Sequence, residues 1–157
     1  AGNGEPVATP IDWSSIPAAP GAQVSGDGSS SPTLELSARP VASTTIDLVI
    51  GNLPAPAAPG VPRIGIFVLS TVAIPGGLDL GVIGMPGCLL YQNASILLTG
   101  FESAATPDEI RLPFTMPGPA WAGFDIYAQG APLHAVLPPN ALGITVTNGV
   151  CMTLGTL

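Results

Sequence analysis

The chain has no lysine and little charge of either sign. Its 157 residues include three arginines, one histidine and ten acidic residues, and only 8% of residues are charged, against about 25% in an ordinary soluble domain. Nucleic acids and anionic membranes are bound through clustered Lys and Arg side chains, so a net charge of −7 argues against both. We therefore expect no nucleic-acid partner.

Long apolar runs are also missing. The longest, residues 64–74, is interrupted by Gly65, Ser70 and Thr71 and falls well short of the roughly 20 residues of a membrane-spanning helix. The chain starts at Ala1 without a cationic leader, and we interpret it as a mature exported product. We expect a secreted or cell-surface protein with no membrane span.

Groups for catalysis are scarce. No glycine-rich phosphate loop, zinc signature or nucleophile elbow is present. His134 is the only candidate base, and the adjacent carboxylates of Asp108 and Glu109 would point to opposite faces of a strand. We expect no enzymatic activity, no cofactor and no metal; a hydrolase that uses His134 is a third alternative to the two functions given below.

Two cysteines, Cys88 and Cys151, lie far apart, with no further ligand at metal-binding spacing around either. In an exported domain this arrangement favours an intramolecular disulfide, which would stabilise the fold by roughly 4 kcal/mol on the chain-entropy model. The alternative is two buried free thiols that act as small hydrophobic side chains.

Two features relate the chain to glycans. Asn93-Ala94-Ser95 matches an N-glycosylation acceptor, which makes Asn93 a candidate modification site. Trp121 or Tyr91 is a candidate platform for a surface sugar, although packing in the core or at an interface is the commoner use of such rings.

Glycine and proline are abundant, with 20 and 19 residues, and they separate short β-rich segments. Short β-rich segments separated by glycine and proline predict an all-β fold. We expect an antiparallel β-sandwich of about nine short strands over residues 33–157, and a closed barrel is the alternative. Asn148-Gly149 predicts a type I′ turn that closes a terminal hairpin. The predicted strands are 33–38, 44–50, 63–70, 88–92, 95–101, 109–114, 124–129, 143–147 and 150–154.

Residues 1–32 form a separate Pro/Gly/Ser-rich arm and linker by composition. Within this arm, apolar side chains recur at period two, so one face of an extended segment is apolar. Pro6 and Pro10 remove N–H donors from one edge of that segment and leave the other edge complete. The segment therefore predicts a strand that adds to a sheet edge, and packing on its own domain is the alternative. Its assembly face is Val7, Thr9, Ile11 and Trp13.

Residues 65–157 carry turn and strand motifs in a recognisable order: Gly76-Gly77-Leu78-Asp79-Leu80-Gly81, Gly84-Met85-Pro86-Gly87-Cys88, Phe124-Asp125-Ile126-Tyr127-Ala128-Gln129 and Asn140-Ala141-Leu142-Gly143-Ile144. This order resembles a β-sandwich module found near the C-termini of large exported proteins of planctomycete-like bacteria. The resemblance implies an extracellular location and a β-sandwich fold, and it brings no catalytic residues.

These observations predict a non-enzymatic extracellular structural subunit. We expect it to polymerise head-to-tail with copies of itself into a filament or surface assembly, through addition of the N-terminal strand to a neighbour. The alternative is a secreted carbohydrate-binding or adhesion β-sandwich module.

Overall fold

The computed structural model describes residues 31–135, 140 and 142–155. The predicted assembly face at Val7, Thr9, Ile11 and Trp13 lies outside the described residues.

Nine β-strands make up the described chain, and every pair of neighbouring strands is antiparallel. The predicted all-β fold of about nine antiparallel strands is confirmed. The described residues include no helix long and apolar enough to cross a membrane. The strands are β1 (Thr33–Leu36), β2 (Thr45–Gly51), β3 (Ile64–Ser70), β4 (Ala73–Asp79), β5 (Leu89–Gln92), β6 (Ile96–Ser103), β7 (Thr106–Thr115), β8 (Asp125–Pro132) and β9 (Gly149–Thr153).

Seven strands form one sheet in the order β1-β2-β7-β6-β3-β8-β9, and β4 and β5 form a separate ribbon. The large sheet curls until its two halves face each other. Gly130 of β8 lies against Ile50 of β2, since a Cβ at Gly130 would come 2.7 Å from Ile50 Cγ1. Because β2 and β8 are not neighbours in the sheet, this contact crosses the core, as contacts between the two layers of a sandwich do.

The core follows from the period-two alternation of the strands. In β2, Ile46, Leu48 and Ile50 point inward and are almost fully buried, and Phe67 and Leu69 of β3 do the same. Burial of a side chain of this size contributes about 1.5–3 kcal/mol relative to exposure. The other members of the core cluster are Leu34, Ile110, Met116, Ile126, Ala128, Met152 and Leu154.

The β4–β5 ribbon contacts the outer face of β3 and β8. Gln92 Nε2 donates to Val68 O at 3.2 Å, and Gln129 Oε1 accepts from Tyr91 N at 3.2 Å. Gln129 Nε2 also donates to Leu89 O at 2.9 Å. Both glutamines are only 1% exposed, so their amides replace water as hydrogen-bond partners for backbone groups at this contact.

The predicted hairpin at Asn148-Gly149 is wrong. Neither residue has a positive φ, which a type I′ turn requires at both positions, and residues 143–147 do not form a strand. The last strand pairs with β8 instead. The side chain of Asn148 bonds the backbone of β1: Leu34 N donates to Oδ1 at 2.9 Å, and Nδ2 donates to Leu34 O at 3.2 Å.

The two outer strands of the sheet, β1 and β9, are therefore tied to each other. The Asn148 amide takes the place of a neighbouring peptide group at the edge of β1. A second tie lies further along, where Ala42 N donates to Gly155 O at 2.9 Å and Gly155 N donates to Pro40 O at 3.0 Å. These bonds bring the curled sheet close to a closed barrel and leave less of its outer edges free for pairing.

Replacement of Asn148 by alanine should lower the free energy of unfolding by about 1–2 kcal/mol, because Leu34 loses partners for both of its backbone groups. Urea denaturation measures the loss. The matched control is Asn93→Ala, at an exposed asparagine, which should stay within about 0.5 kcal/mol of the parent. Equal effects of the two substitutions would show that the Asn148 amide does not hold the sheet edges together.

Candidate functional site: an open seam between β6 and β7

The sheet is poorly paired at one internal position, between β6 and β7. Their ladder contains only two pairs, Glu102↔Ile110 and Ser103↔Thr106, with a register shift between them. By contrast, β6 has six successive pairs with β3, and β7 has six with β2. β6 and β7 thus diverge beyond Gly100, where a Cβ would still lie 2.8 Å from Ile110 Cγ2. We call the gap between residues 96–99 and 113–115 the seam.

The direction of the backbone groups in β7 explains why this ladder stops. Met116 N donates to Thr44 O at 2.8 Å, and backbone direction alternates along a strand. Even-numbered residues of β7 therefore face β2, and the odd-numbered Pro113 and Thr115 present their backbone to the seam. Proline has no N–H, so β7 cannot donate to β6 at Pro113.

On the facing edge of β6, every residue has both a backbone donor and a backbone acceptor. Glu102 N donates to Arg63 O at 2.9 Å, so even-numbered residues of β6 face β3 and the odd-numbered Leu97 and Thr99 face the seam. Each of these two residues has both an N–H and a carbonyl group. The seam therefore has one edge with all its donors and one edge that lacks a donor.

The side chains that flank the seam are less buried than the rest of the inward-facing set. Leu98, Leu112 and Phe114 point inward and pack against the core, yet they are only partly buried. Ile96, at the start of β6, is 49% exposed. Inward-facing residues of β2, β3 and β8 are almost fully buried, so the core is accessible to solvent along the seam. Apolar exposure of this kind makes the seam a candidate binding surface.

The outer face beside the seam is apolar as well. Leu97 is 61% exposed and Phe101 is 58% exposed, and Phe101 lies directly across from Ile64 of β3. The seam was not predicted from the sequence. The available signal was Pro113 inside the predicted strand 109–114, because proline within a strand indicates an unpaired edge.

An ion cluster closes the seam at its Gly100 end. Arg63 Nε donates to Glu102 Oε2 at 2.9 Å, and Nη2 contacts both Glu102 Oε1 and, at 2.6 Å, Asp108 Oδ1. Arg63 Nη1 donates to Pro54 O at 3.1 Å. The Arg63 guanidinium, and secondly the Asp108 N–H, hold the pKa of Glu102 at about 2. The cluster pins the β6–β7 turn where the two strands are still paired.

The remaining candidate residues do not gather at one place. His134 Nε2 lies 2.9 Å from Thr145 Oγ1. Asp108 pairs with Arg63, whereas Glu109 pairs with Arg111 at 2.7 Å, so the two carboxylates have different partners. Among the described residues no group of three or more His, Cys, Asp or Glu side chains is placed to hold a metal ion.

The two cysteines are free thiols in the structure. Burial raises the pKa of both: Cys88 lies against the backbone of Val146, and Cys151 contacts Tyr127 and Asp125. The predicted bridge is not formed here, and the pairing stays a prediction that mass measurement of the alkylated protein with and without a reductant would test.

The candidate glycan residues lie on different elements. Asn93 is exposed between β5 and β6, and Tyr91 is half-buried in β5. Trp121 is 45% exposed and lies beside Phe124, with ring centroids 5.3 Å apart. Glycosylation of Asn93 stays a prediction.

No protein-family model, curated protein or solved structure matches the chain. The resemblance of residues 65–157 to exported bacterial modules therefore stays a prediction.

The Glu102 pKa predicts how stability depends on pH. Because folding lowers this pKa from 4.5 to about 2, the contribution of the Arg63–Glu102 pair is present above pH 4.5 and is lost as the pH falls toward 2. The difference in urea midpoint between the parent and Glu102→Gln should be constant from pH 7 to 5 and then shrink. Glu109→Gln, which removes an exposed partner of Arg111, should show little difference at any pH. A parent and Glu102→Gln that differ equally at pH 7 and pH 2.5 would contradict this assignment.

Proposed function

We propose that the protein is a non-enzymatic extracellular structural subunit that polymerises head-to-tail, with the N-terminal arm of each copy adding a strand to the sheet of the next. The observation that carries the proposal is the seam: β6 and β7 leave unpaired backbone and partly exposed core side chains inside an otherwise well-paired sheet. A strand fits such a gap because it supplies both kinds of partner, backbone groups for the edges and side chains for the core.

The arm has the sequence that such a strand needs. Val7, Ile11 and Trp13 lie on one face of an extended segment, and burial of each in a neighbour would contribute roughly 1.5–3 kcal/mol. Edge pairing adds the backbone hydrogen bonds. These gains act against an association cost of about 4–15 kcal/mol and the further cost of ordering the segment.

The length of the linker allows pairing between copies as well as within one. Residues 14–32 would span about 25 Å as a flexible coil. The same chain's seam lies about three strand spacings from β1, or roughly 14 Å, whereas a neighbouring domain of this size is about 35 Å across. The linker is thus longer than insertion into the same chain needs.

A head-to-tail contact leaves one arm and one seam free at the two ends of every assembly. Such contacts do not close unless rotation returns the chain of subunits to its start, so they propagate into filaments. The net charge of −7 over 157 residues makes stacked copies repel one another and disfavours nucleic-acid binding, so the proposed assembly has to rest on apolar burial and backbone pairing.

Deletion of residues 1–24 should abolish assembly and leave a folded domain. Negative-stain imaging and size-exclusion chromatography of the parent should show long assemblies, and the truncated protein should elute as a monomer with an unchanged circular dichroism spectrum. The control is a full-length chain with a charged arm. Val7→Asp with Ile11→Asp should also prevent assembly, because charged side chains would be buried in the core of the neighbour.

Polymers of the truncated protein that match those of the parent would overturn the proposal. A parent chain that stays monomeric at millimolar concentration would overturn it as well.

A second candidate function has one observation in its favour. The exposed Trp121–Phe124 pair is the kind of aromatic surface on which a sugar ring packs. Titration of a set of cell-surface polysaccharides, followed by tryptophan fluorescence, tests it. Binding that Trp121→Ala removes and that deletion of residues 1–24 leaves intact would favour an adhesion module.

A further inference from the structure

Asn148-Gly149 is a chemically reactive pair of residues. In an Asn-Gly sequence the backbone nitrogen of the glycine attacks the side-chain amide carbon of the asparagine and closes a succinimide ring. Glycine favours this reaction because it has no Cβ to hinder the approach and because its backbone turns freely. The chain has one other such pair, Asn3-Gly4, which lies outside the described residues. At Asn148 the reactive amide is also the group that ties the two outer strands together.

The folded structure holds both ends of this amide. Leu34 N donates to Asn148 Oδ1 at 2.9 Å, and Asn148 Nδ2 donates to Leu34 O at 3.2 Å. The amide carbon Cγ lies between these two atoms, so rotation of the side chain toward Gly149 breaks two hydrogen bonds. The carbon that ring closure attacks is therefore fixed against β1.

The attacking nitrogen is held as well. Thr147 Oγ1 donates to Asn148 O at 2.8 Å, and Asn148 O and Gly149 N belong to the same planar peptide group. Thr147 is bonded to β8, because Thr147 N donates to Gly130 O and Gly130 N donates to Thr147 Oγ1, both at 2.8 Å. Beyond this peptide group, Gly149 is paired with Gln129 at the start of β9. Ring closure needs the chain to bend so that Gly149 N turns toward Asn148 Cγ, and these bonds oppose such a bend.

We infer that Asn148-Gly149 is a conditional self-modification site, which is protected in the folded protein and reacts when the chain unfolds. In the reaction Gly149 N forms a bond to Asn148 Cγ, and the bond from Cγ to Nδ2 breaks. The proton of Gly149 N leaves with Nδ2 as ammonia. Water then opens the succinimide at either of its carbonyl carbons and gives aspartate or isoaspartate. Water is the only co-reactant, and no electrons are transferred. The inference does not rest on the proposed function.

The modified residue no longer serves as a tie between the outer strands. A carboxylate only accepts hydrogen bonds, so the aspartate product has no donor for Leu34 O and places a negative charge beside that oxygen. The isoaspartate product also adds a methylene group to the main chain, which moves the side chain away from Leu34. In both products β1 keeps an unpaired backbone group at the sheet edge, where other strands add. A chain that stays unfolded long enough to react therefore refolds with an open outer edge.

Peptide mapping by mass spectrometry tests the protection. The full chain is incubated in mildly alkaline buffer with and without denaturing urea, and aspartate plus isoaspartate at position 148 are measured over time. Their formation should be at least tenfold slower in the folded protein than in urea. Asn3-Gly4 in the same molecules is the internal reference, since the two pairs should react at similar rates in urea.

Two variants test the consequence for the fold. Asn148→Asp makes the aspartate product directly, and its urea midpoint should lie below that of the parent. Gly149→Ala keeps the Asn148 amide and slows ring closure through its Cβ, at a position that is not among those with a positive φ. After long incubation in urea and refolding, the parent should contain a fraction with the low midpoint of Asn148→Asp. Gly149→Ala, treated in the same way, should regain its own untreated midpoint.

Three outcomes would contradict the inference. Equal rates at Asn148 with and without urea would overturn the protection. An Asn148 that stays intact in urea while Asn3 reacts would overturn the site itself. An unchanged urea midpoint for Asn148→Asp would overturn the effect on the tie, and this measurement decides the point even where Gly149→Ala does not fold.

Discussion

The missing N–H of Pro113 is the constraint on which the rest of the structure depends. A sheet is stable when its backbone groups find partners, and in this molecule the pairing continues from β1 through β2 to β7 and from β6 through β3 and β8 to β9. Between β7 and β6 the donor at residue 113 is absent, and the ladder shrinks to two pairs. The curled sheet therefore opens at this position while its outer strands are tied together.

The outer strands β1 and β9 are bonded to each other, whereas β6 and β7 are mostly not. A sheet that curls around one core has its first and last strands as natural edges, and edges invite unwanted pairing. In this protein the Asn148 amide occupies the backbone of Leu34, and Gly155 pairs near Pro40. With these edges partly occupied, the seam would offer a new strand both hydrogen bonds and apolar contacts, which is why the proposed assembly uses it.

Much of the fold was predictable because the alternation of apolar residues is strong. Residues 44–50 and 63–70 were predicted as strands, and β2 and β3 cover nearly the same residues. β4 was missed because Pro75, Gly76 and Gly77 signal a loop, and Gly76 and Gly77 do have positive φ values within the irregular β4–β5 pairing. A local pattern cannot show that a distant strand will pair with such a segment.

The Asn148-Gly149 turn failed for a related reason. The dipeptide favours a tight turn. The Asn148 amide instead forms hydrogen bonds with both backbone groups of Leu34, which is 114 residues away in the sequence. Tertiary contacts of that separation leave no trace in the local sequence. The seam itself was hidden in the same way, since Pro113 shows an unpaired edge but not which strand stands across from it.

The ion cluster of Arg63, Glu102 and Asp108 fixes one end of the seam. Asp108 has a φ of 67° within the irregular part of the β6–β7 pairing, and irregularities of this kind bend a strand and increase its twist. Arg63 holds that segment in place through Glu102 and Asp108. A strand that enters the seam from its open end meets this pinned turn and stops there. In the proposed assembly, such a stop would limit how far the added strand slides along the seam.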